Sequence, residues 1–266
     1  MLTKFTALAM GVLLSVSAMA ADMATADMAT LTRQAQSGDA AAQFDLAYEY
    51  YQQGNHAKAF EWFTKAAHQG DAQAQYNLGV MYAQGLGVRQ DYHKAFEWFT
   101  KAAGQGHAKA QFNLGVMYHE GEGVRQDYKK AVEWYAKAAH QGFAEAQYNL
   151  GQMYRQGHGV HQDYYKAVEW YTKAAHQGDA AAQSNLGVMY DKGHGVRQDY
   201  QKAIEWYTKS ANQGYAEAQF NLGAMYYNGH GVRQNKSTAK RYFGQACDNG
   251  DQSGCDNYRR LNQQGY

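Results

Sequence analysis

The chain has 266 residues, with 25 lysines and arginines against 24 aspartates and glutamates and a formal net charge of +1. This near balance gives no electrostatic signature of nucleic-acid binding, so no nucleic-acid partner is expected. The chain contains no proline, which favours helices joined by short glycine turns.

The first 20 residues, MLTKFTALAMGVLLSVSAMA, have the layout of a secretory signal peptide. Lys4 precedes an apolar run, and a small-x-small site ends at Ala20. We predict cleavage after Ala20 and a periplasmic or secreted protein without a membrane span in the mature chain. A retained membrane helix is the alternative, but the run is short for a span of roughly 20 apolar residues.

Two capping segments are predicted to bound the folded region. Residues 21–30 form a short polar leader. Residues 31–38 match the end of the later repeats with most apolar positions lost, as expected of an N-terminal capping helix. Residues 251–264 are assigned to a capping helix at the other end.

A unit of 36 residues recurs between these caps. The hexapeptide NLGVMY, or a close variant, begins at Asn77, Asn113, Asn149, Asn185 and Asn221. Within each unit, apolar residues fall at offsets of three and four in two segments, which predicts two amphipathic helices. The predicted fold is an all-α solenoid of αα-hairpins over residues 31–266, forming one domain. Its hairpins are predicted at 41–70, 71–106, 107–142, 143–178, 179–214 and 215–250.

The turn residues specify the helix ends in this scheme. Gly85 is predicted to end the first helix of its unit in a left-handed conformation, and Asp91 to cap the start of the second. Gly79 lies inside the first helix, where glycine costs about 1 kcal/mol relative to alanine. We therefore expect the second helix to cross there at close range, with Ala95 offering the matching small surface.

Cys247 and Cys255 are eight residues apart, between two predicted helices. In an exported protein an intramolecular disulfide is the default interpretation. Closing this loop would contribute roughly 2.5 kcal/mol in the chain-entropy account. A reactive thiol or a metal-binding pair is the alternative.

The repeated unit resembles the Sel1-like repeat, a relative of the tetratricopeptide repeat. The family pattern A-x-x-x-L-G-x-x-Y-x-x-G-x-G-V-x-x-D-x-x-K-A-x-x-W-x-x-K-A-A is met by Ala74, Leu78, Gly79, Tyr82, Gly85, Gly87, Val88, Asp91, Lys94, Ala95, Trp98, Lys101, Ala102 and Ala103. The resemblance implies an αα-solenoid that acts as an adaptor or scaffold, in bacteria often exported. The segment ACDNGDQSGC is similar to the signature of a cysteine-rich secreted branch, whose members have been described as penicillin-binding or weakly β-lactamase-like.

The asparagine ladder is the main candidate site. Its members Asn77, Asn113, Asn149, Asn185 and Asn221 resemble the position from which tetratricopeptide repeats contact peptide on their concave face. A carboxamide both donates and accepts, so it can hold a peptide main chain without reading its sequence. Tyr76, Phe112, Tyr148 and Phe220 are predicted to line the same groove, where Ser184 interrupts the aromatic row. Alternatively, the asparagines bond to the neighbouring repeat and the aromatics pack between repeats.

Other candidate chemistry lacks its partners. The 11 histidines form no local set at ligand spacing, so no metal site and no cofactor are predicted. Ser237 and Lys240 match the S-x-x-K motif of β-lactamases, but S-D-N and K-T-G do not occur. No catalytic residue is assigned.

Three functional hypotheses follow from these patterns. The first is a non-enzymatic, monomeric, exported scaffold that binds a protein or peptide in its concave groove, in envelope processes or host interaction. The alternative is a protein that binds β-lactams or peptidoglycan fragments, with weak β-lactamase-like activity. A third is an array that polymerises or stabilises an envelope assembly.

Overall fold

The computed structural model describes residues 28–266, so the signal peptide predicted for 1–20 and the leader up to residue 27 lie outside the described residues. The described part of the chain contains 14 α-helices and no strand, which confirms the predicted all-α hairpin repeat. The helices are α1 (Met28–Gln36), α2 (Ala40–Gln52), α3 (His56–His68), α4 (Ala72–Gln84), α5 (Tyr92–Gly104), α6 (Ala108–Glu120), α7 (Tyr128–His140), α8 (Ala144–Gln156), α9 (Tyr164–His176), α10 (Ala180–Lys192), α11 (Tyr200–Ala211), α12 (Ala216–Asn228), α13 (Lys236–Asp248) and α14 (Gln252–Gln263).

The chain divides into two compact units, Met1–Gln141 and Gly142–Tyr266, called here the N-terminal and C-terminal units. Within each unit a helix packs mainly against its neighbours in sequence. The hairpins are α2/α3, α4/α5 and α6/α7 in the N-terminal unit, and α8/α9, α10/α11 and α12/α13 in the C-terminal unit. The core of each unit is therefore a stack of local contacts, as in other repeat proteins.

The helix ends follow the predicted cap chemistry. Gly85 has φ 71° and ends α4, and its N–H donates to the carbonyl of Met81. Asp91 precedes α5, and its Oδ1 accepts from Lys94 N at 3.0 Å. The same capping role falls to Asp127, Asp163, Asp199 and Asn235 before the later second helices. Local side-chain bonds thus set where each hairpin turns.

The glycine inside each first helix makes room for an aromatic ring. A Cβ at Gly79 would lie 2.7 Å from Cδ1 and Cε1 of Phe99, which is fully buried. The corresponding rings are Tyr135, Tyr171, Tyr207 and Phe243 at Gly115, Gly151, Gly187 and Gly223. The predicted close approach is confirmed, although the nearest group at Gly79 is a ring and not the small surface expected at Ala95. The group in contact is the ring four residues further along α5, where a flat face fits against bare backbone. At Gly151 the equivalent alanine, Ala167, also approaches, with its carbonyl oxygen 3.3 Å from a built Cβ.

A disulfide joins Cys247 at the end of α13 to Cys255 on α14, with their Cα atoms 4.5 Å apart. The pairing expected from the sequence is therefore present. It ties the last described helix to the preceding hairpin.

Candidate functional site

One side of every first helix carries the asparagine ladder. We call it the first-helix face and define it in each repeat by five positions. They are the asparagine, the residues four and one positions before it, and those three and six positions after it. In α4 these are Gln73, Tyr76, Asn77, Val80 and Ala83. Their spacing places them on one side of the helix.

Two asparagines of the N-terminal unit have unused hydrogen-bonding capacity. Asn77 and Asn113 are only 1% and 2% exposed. Neither Nδ2 nor Oδ1 of either residue has a hydrogen-bond partner among the described residues. A buried polar group without a partner costs roughly 1–3 kcal/mol.

The asparagines of the C-terminal unit are more accessible. Asn149 and Asn221 are partly exposed, and Asn185 is 8% exposed. Asn185 donates from Nδ2 to the carbonyl of Ala181, one turn earlier in its own helix, at 2.9 Å. This bond stays within α10, so it does not fasten one repeat to the next.

The aromatic row of the first-helix face packs inside the hairpins. Each ring lies against the ring on the second helix that faces the glycine. The centroid distances are 5.8 Å for Tyr76 and Phe99, 5.8 Å for Phe112 and Tyr135, 6.0 Å for Tyr148 and Tyr171, and 5.4 Å for Phe220 and Phe243. These four contacts lie within single hairpins, whereas the alternative considered above was packing between repeats, and ligand contact by the four rings stays a prediction.

Glutamines, which the sequence analysis did not single out, fasten one hairpin to the next. Gln75 is buried and donates from Nε2 to the carbonyl of Ala67 at 3.1 Å. Its Oε1 accepts at 2.8 Å from Gln105, which also donates to the carbonyl of Gly70 at 2.9 Å. Equivalent pairs are Gln43/Gln69, Gln111/Gln141, Gln147/Gln177, Gln183/Gln213 and Gln219/Asn249. We call these pairs the glutamine ladder.

A signal for the glutamine ladder was present in the sequence. Gln75, Gln111, Gln147, Gln183 and Gln219 recur every 36 residues, two positions before each asparagine of the ladder. A long polar side chain at a strictly repeated, inward-facing position indicates a satisfied buried amide. Glutamines thus supply bonds of the kind that we considered for the asparagines, and the role of the asparagines stays a prediction.

His107 closes one end of the first-helix face in the N-terminal unit. Its Nδ1 accepts from Ala110 N at 3.2 Å, capping α6, and its Nε2 lies 3.1 Å from Oε1 of Gln73. The ring stacks on Tyr76 with centroids 4.6 Å apart. Burial, and next the charge of Lys109, lower the pKa of His107 from 6.5 to about 4. The imidazole is therefore neutral near pH 7.

On α8, the first helix of the C-terminal unit, a polar network replaces the apolar part of this face. Oε1 of Gln152 accepts from the Tyr171 hydroxyl and from Nε of Arg155, both at 2.9 Å. Nε2 of Gln152 donates to the Tyr148 hydroxyl at 2.7 Å. In other repeats the position of Gln152 is held by Val80, Val116, Val188 and Ala224. Only α8 thus carries this network among the five repeats that contain the asparagine ladder.

Carboxylates lie near this network. Burial raises the pKa of Glu217, while the charge of Arg155 opposes that shift. Burial also raises the pKa of Asp179, whose carboxylate caps α10 through a 2.6 Å bond from Ala182 N. Burial raises the pKa of the Tyr171 hydroxyl as well. The first-helix face of the C-terminal unit is therefore charged and partly dehydrated.

The remaining candidates do not form a reactive cluster. Ser237 is exposed, and Lys240 Nζ donates to Oδ1 of Asn262 at 2.7 Å and to the carbonyl of Tyr266. The loop histidines His194 and His230 stack on Tyr164 and Tyr200. Residues 28–266 contain no group of three or more His, Cys, Asp or Glu placed to hold a metal ion. Over the same residues, every helix is too short or too polar to cross a bilayer.

The repeat itself identifies the family. The profile of the Sel1 repeat matches six consecutive segments, 40–71, 72–107, 108–143, 144–179, 180–215 and 216–251. The chain belongs to the Sel1 repeat family. Repeats of this family generally serve as scaffolds for protein–protein interaction.

Solved Sel1 repeat structures share the fold. The protective antigen c5321 of uropathogenic Escherichia coli, which displays an SLR fold, is 41% identical over 90% of this chain with a TM-score of 0.85. This chain spans about half of that structure, 52% of its length. A Sel1 repeat protein from Oxalobacter formigenes is 34% identical over 79% of this chain and 86% of its own, with a TM-score of 0.75. Curated proteins give no match.

Proposed function

We propose that this Sel1 repeat chain is an exported, monomeric scaffold that binds a peptide or an extended segment of a protein on its first-helix face. The asparagine ladder would hold the peptide main chain. The observation that carries this proposal is the pair of buried carboxamides at Asn77 and Asn113, which have no partner among the described residues.

A peptide main chain would supply the hydrogen-bond partners that the carboxamides of Asn77 and Asn113 lack. Each residue of an extended peptide offers one N–H donor and one C=O acceptor, and a carboxamide can bond to both. Packed helices lie about 8–10 Å apart, and an extended strand rises about 3.3 Å per residue. Within each unit, successive asparagines would therefore meet roughly every third residue of the peptide.

The glutamine ladder supports ligand binding by the asparagines, because glutamines already form the bonds between neighbouring repeats that were the alternative role of the asparagines. Gln75 and Gln105 already join adjacent hairpins, as do Gln183, Gln213 and Gln219 within the C-terminal unit. Stacking does not require a second amide at Asn77 or Asn113. A ligand that reached these buried carboxamides would supply the partners that the described residues do not.

Export is supported by the cysteine chemistry. The disulfide between Cys247 and Cys255 is of a kind that persists in oxidising compartments such as the bacterial periplasm or the exterior. The similar Escherichia coli protein is described as a protective antigen. Both observations support our proposal that the mature protein acts in the periplasm or outside the cell.

The first test measures peptide affinity and folding stability in the same variants. Linear peptides are selected from a random phage-displayed library against the mature chain, synthesised, and titrated by calorimetry. Asn77→Ala/Asn113→Ala is compared with Asn228→Ala, which removes an exposed asparagine at the end of α12. Loss of two peptide hydrogen bonds should weaken binding roughly tenfold or more, while Asn228→Ala should bind as the parent does.

Chemical denaturation separates binding from stacking. If the asparagines serve the ligand, Asn77→Ala/Asn113→Ala should unfold at the same denaturant concentration as the parent or a higher one, because it removes unpaired buried groups. A stability loss with unchanged peptide affinity would reject the proposal. Failure to select any peptide would reject it as well.

A further inference from the structure

We propose that Arg155 recognises a carboxylate of the bound peptide, so that the C-terminal unit selects an acidic side chain or a free C-terminus. This inference rests on the proposed function, because it names the chemistry of a ligand on the same face. It depends on the network around Gln152 and on the donors of Arg155 that this network leaves available.

The network fixes the position of the guanidinium. Gln152 is held by Tyr148 at 2.7 Å and by the buried Tyr171 at 2.9 Å, and its Oε1 accepts from Nε of Arg155. A side chain held in this way loses little further freedom when a ligand binds. Arg155 is therefore preorganised, although it lies in the last turn of α8 and is partly exposed.

The guanidinium keeps donors for a ligand. Arginine carries five N–H donors in a planar fork. Nε of Arg155 donates to Gln152, and the guanidinium also interacts with the hydroxyls of Tyr171 and Tyr148, which leaves donors of the fork for a ligand. Within residues 28–266 Arg155 forms no ion pair, whereas Arg259 pairs with Asp256 at 3.0 Å. A planar cation with free terminal amines fits a carboxylate through two parallel hydrogen bonds.

The repeat does not need this arginine for its own packing. The position of Arg155 is held in other repeats by Ala83, His119, Asp191 and Tyr227. Gln152 departs from the valine or alanine of other repeats in the same turn. Gln152 and Arg155 both differ from the residues at the same positions in the other repeats, and they contact each other on one face. This indicates a role specific to α8 and not a requirement of the repeat fold.

Two carboxylates near the network of Arg155, those of Glu217 and Asp179, allow an acidic peptide to be distinguished from a cationic one. Glu217 feels the charge of Arg155 but forms no ion pair with it. A peptide carboxylate at Arg155 would be repelled by Glu217, so Glu217→Gln should strengthen binding of an acidic peptide. A cationic peptide held by Glu217 and Asp179 would show the opposite dependence on both residues. The sign of the two effects therefore decides the chemistry.

The experiment uses peptides selected as described above whose binding is weakened by Asn149→Ala, which places them on the first-helix face of the C-terminal unit. Each is made with its Asp or Glu residues, with Asn or Gln in their place, and with a C-terminal amide. Calorimetry compares the parent with Arg155→Gln, Arg155→Lys and Glu217→Gln. Arg197→Gln is the matched control, because it removes the same charge from an exposed loop of the same unit.

We expect Arg155→Gln to weaken binding of the acidic peptide roughly tenfold or more. Arg155→Lys should restore only part of this affinity, because an ammonium group cannot form the two parallel hydrogen bonds of a guanidinium. Glu217→Gln should tighten binding, and Arg197→Gln should leave it unchanged. Loss of affinity with the amidated C-terminus alone would identify the terminal carboxylate as the source. Loss of affinity when Asn or Gln replaces Asp or Glu in the peptide would identify a side-chain carboxylate as the source.

Two results overturn the inference and leave the proposed function standing. One is equal affinity for the parent, Arg155→Gln and Arg197→Gln in peptides that still depend on Asn149. The other is the reversed pattern, in which Glu217→Gln weakens binding and Arg155→Gln strengthens it. If no selected peptide depends on any asparagine of the ladder, the proposed function fails and this inference fails with it.

Discussion

The side-chain amide of Gln105 donates to Oε1 of Gln75 at 2.8 Å and joins the turn after α5 to the first helix of the same hairpin. The same amide reaches the carbonyl of Gly70 in the preceding turn, and Gln75 reaches Ala67 at the end of α3. One pair of side chains thus satisfies two backbone carbonyls at the junction between two hairpins. The glutamine ladder repeats this bridge within both units.

Removal of Gln75 should destabilise the N-terminal unit. Gln75→Ala removes the side-chain bond to the carbonyl of Ala67 and one of the two bonds of the Gln105 amide, and is expected to cost about 1–3 kcal/mol. Gln84→Ala, at an exposed position of the same helix, should change stability by less than about 0.5 kcal/mol. Denaturant unfolding of both variants measures the difference.

A double-mutant cycle tests whether the two glutamines act as a pair. Gln75→Ala combined with Gln105→Ala should cost less than the sum of the single changes, with a coupling of about 0.5–1.5 kcal/mol. Strict additivity would show that the 2.8 Å bond contributes nothing to stability.

The glycine of α4 should be intolerant of a methyl group. Gly79→Ala gains helix propensity but places a Cβ 2.7 Å from the buried ring of Phe99, so a net loss of about 1–3 kcal/mol is expected. Gly104 is also helical and has no atom within 4 Å of a built Cβ. Gly104→Ala should therefore be neutral or stabilise by up to about 1 kcal/mol. Equal effects of the two changes in thermal unfolding would contradict the steric account.

Features set by local chemistry were predictable from the sequence. The cap at Asp91 and the left-handed Gly85 depend on residues within one turn of each other, and both occur as expected. The Cys247–Cys255 disulfide spans only eight positions. In each case the partner is fixed by a short stretch of chain, so a spacing in the sequence is enough to identify it.

Features that depend on distant partners were not predictable in the same way. The bond from Gln105 to Gln75 spans 30 positions, and a glutamine in a turn gives no sign of its acceptor. The network of Arg155 depends on the hydroxyl of Tyr171. Two of the other hairpins with a ladder asparagine have phenylalanine at this position, Phe99 and Phe243. Whether the asparagines bind a ligand depends on a molecule outside the chain, so the pattern could only nominate them.

The disulfide should stabilise the end of the C-terminal unit. Cys247→Ser/Cys255→Ser removes a closed loop of nine residues and is expected to cost roughly 2.5 kcal/mol in the chain-entropy account. Hydrogen exchange should show the largest loss of protection in α14, since this last described helix packs mainly on α13. A reductant should lower the melting temperature of the parent and leave that of the variant unchanged. Equal sensitivity of both proteins would contradict the prediction.

The buried His107 should make the N-terminal unit less stable in mild acid. Its pKa is about 4 in the folded chain, against about 6.5 when unfolded. Above pH 6.5 the imidazole is neutral in both the folded and the unfolded chain, so His107 does not reduce the free energy of unfolding. As the pH falls from 6.5 towards 4 the unfolded chain takes up a proton that the folded chain does not, so stability is lost. The loss between pH 7 and pH 5 should be about 1–2 kcal/mol, measured by urea unfolding at each pH.

Asparagine separates the capping role of His107 from its titration. His107→Asn can still accept from Ala110 N as a helix cap but cannot bind a proton, so its stability should change less between pH 7 and pH 5. His93→Asn removes an exposed histidine of α5 and is expected to keep the pH dependence of the parent. If His107→Asn keeps the full acid sensitivity, another group carries the proton and the burial of His107 is not its cause.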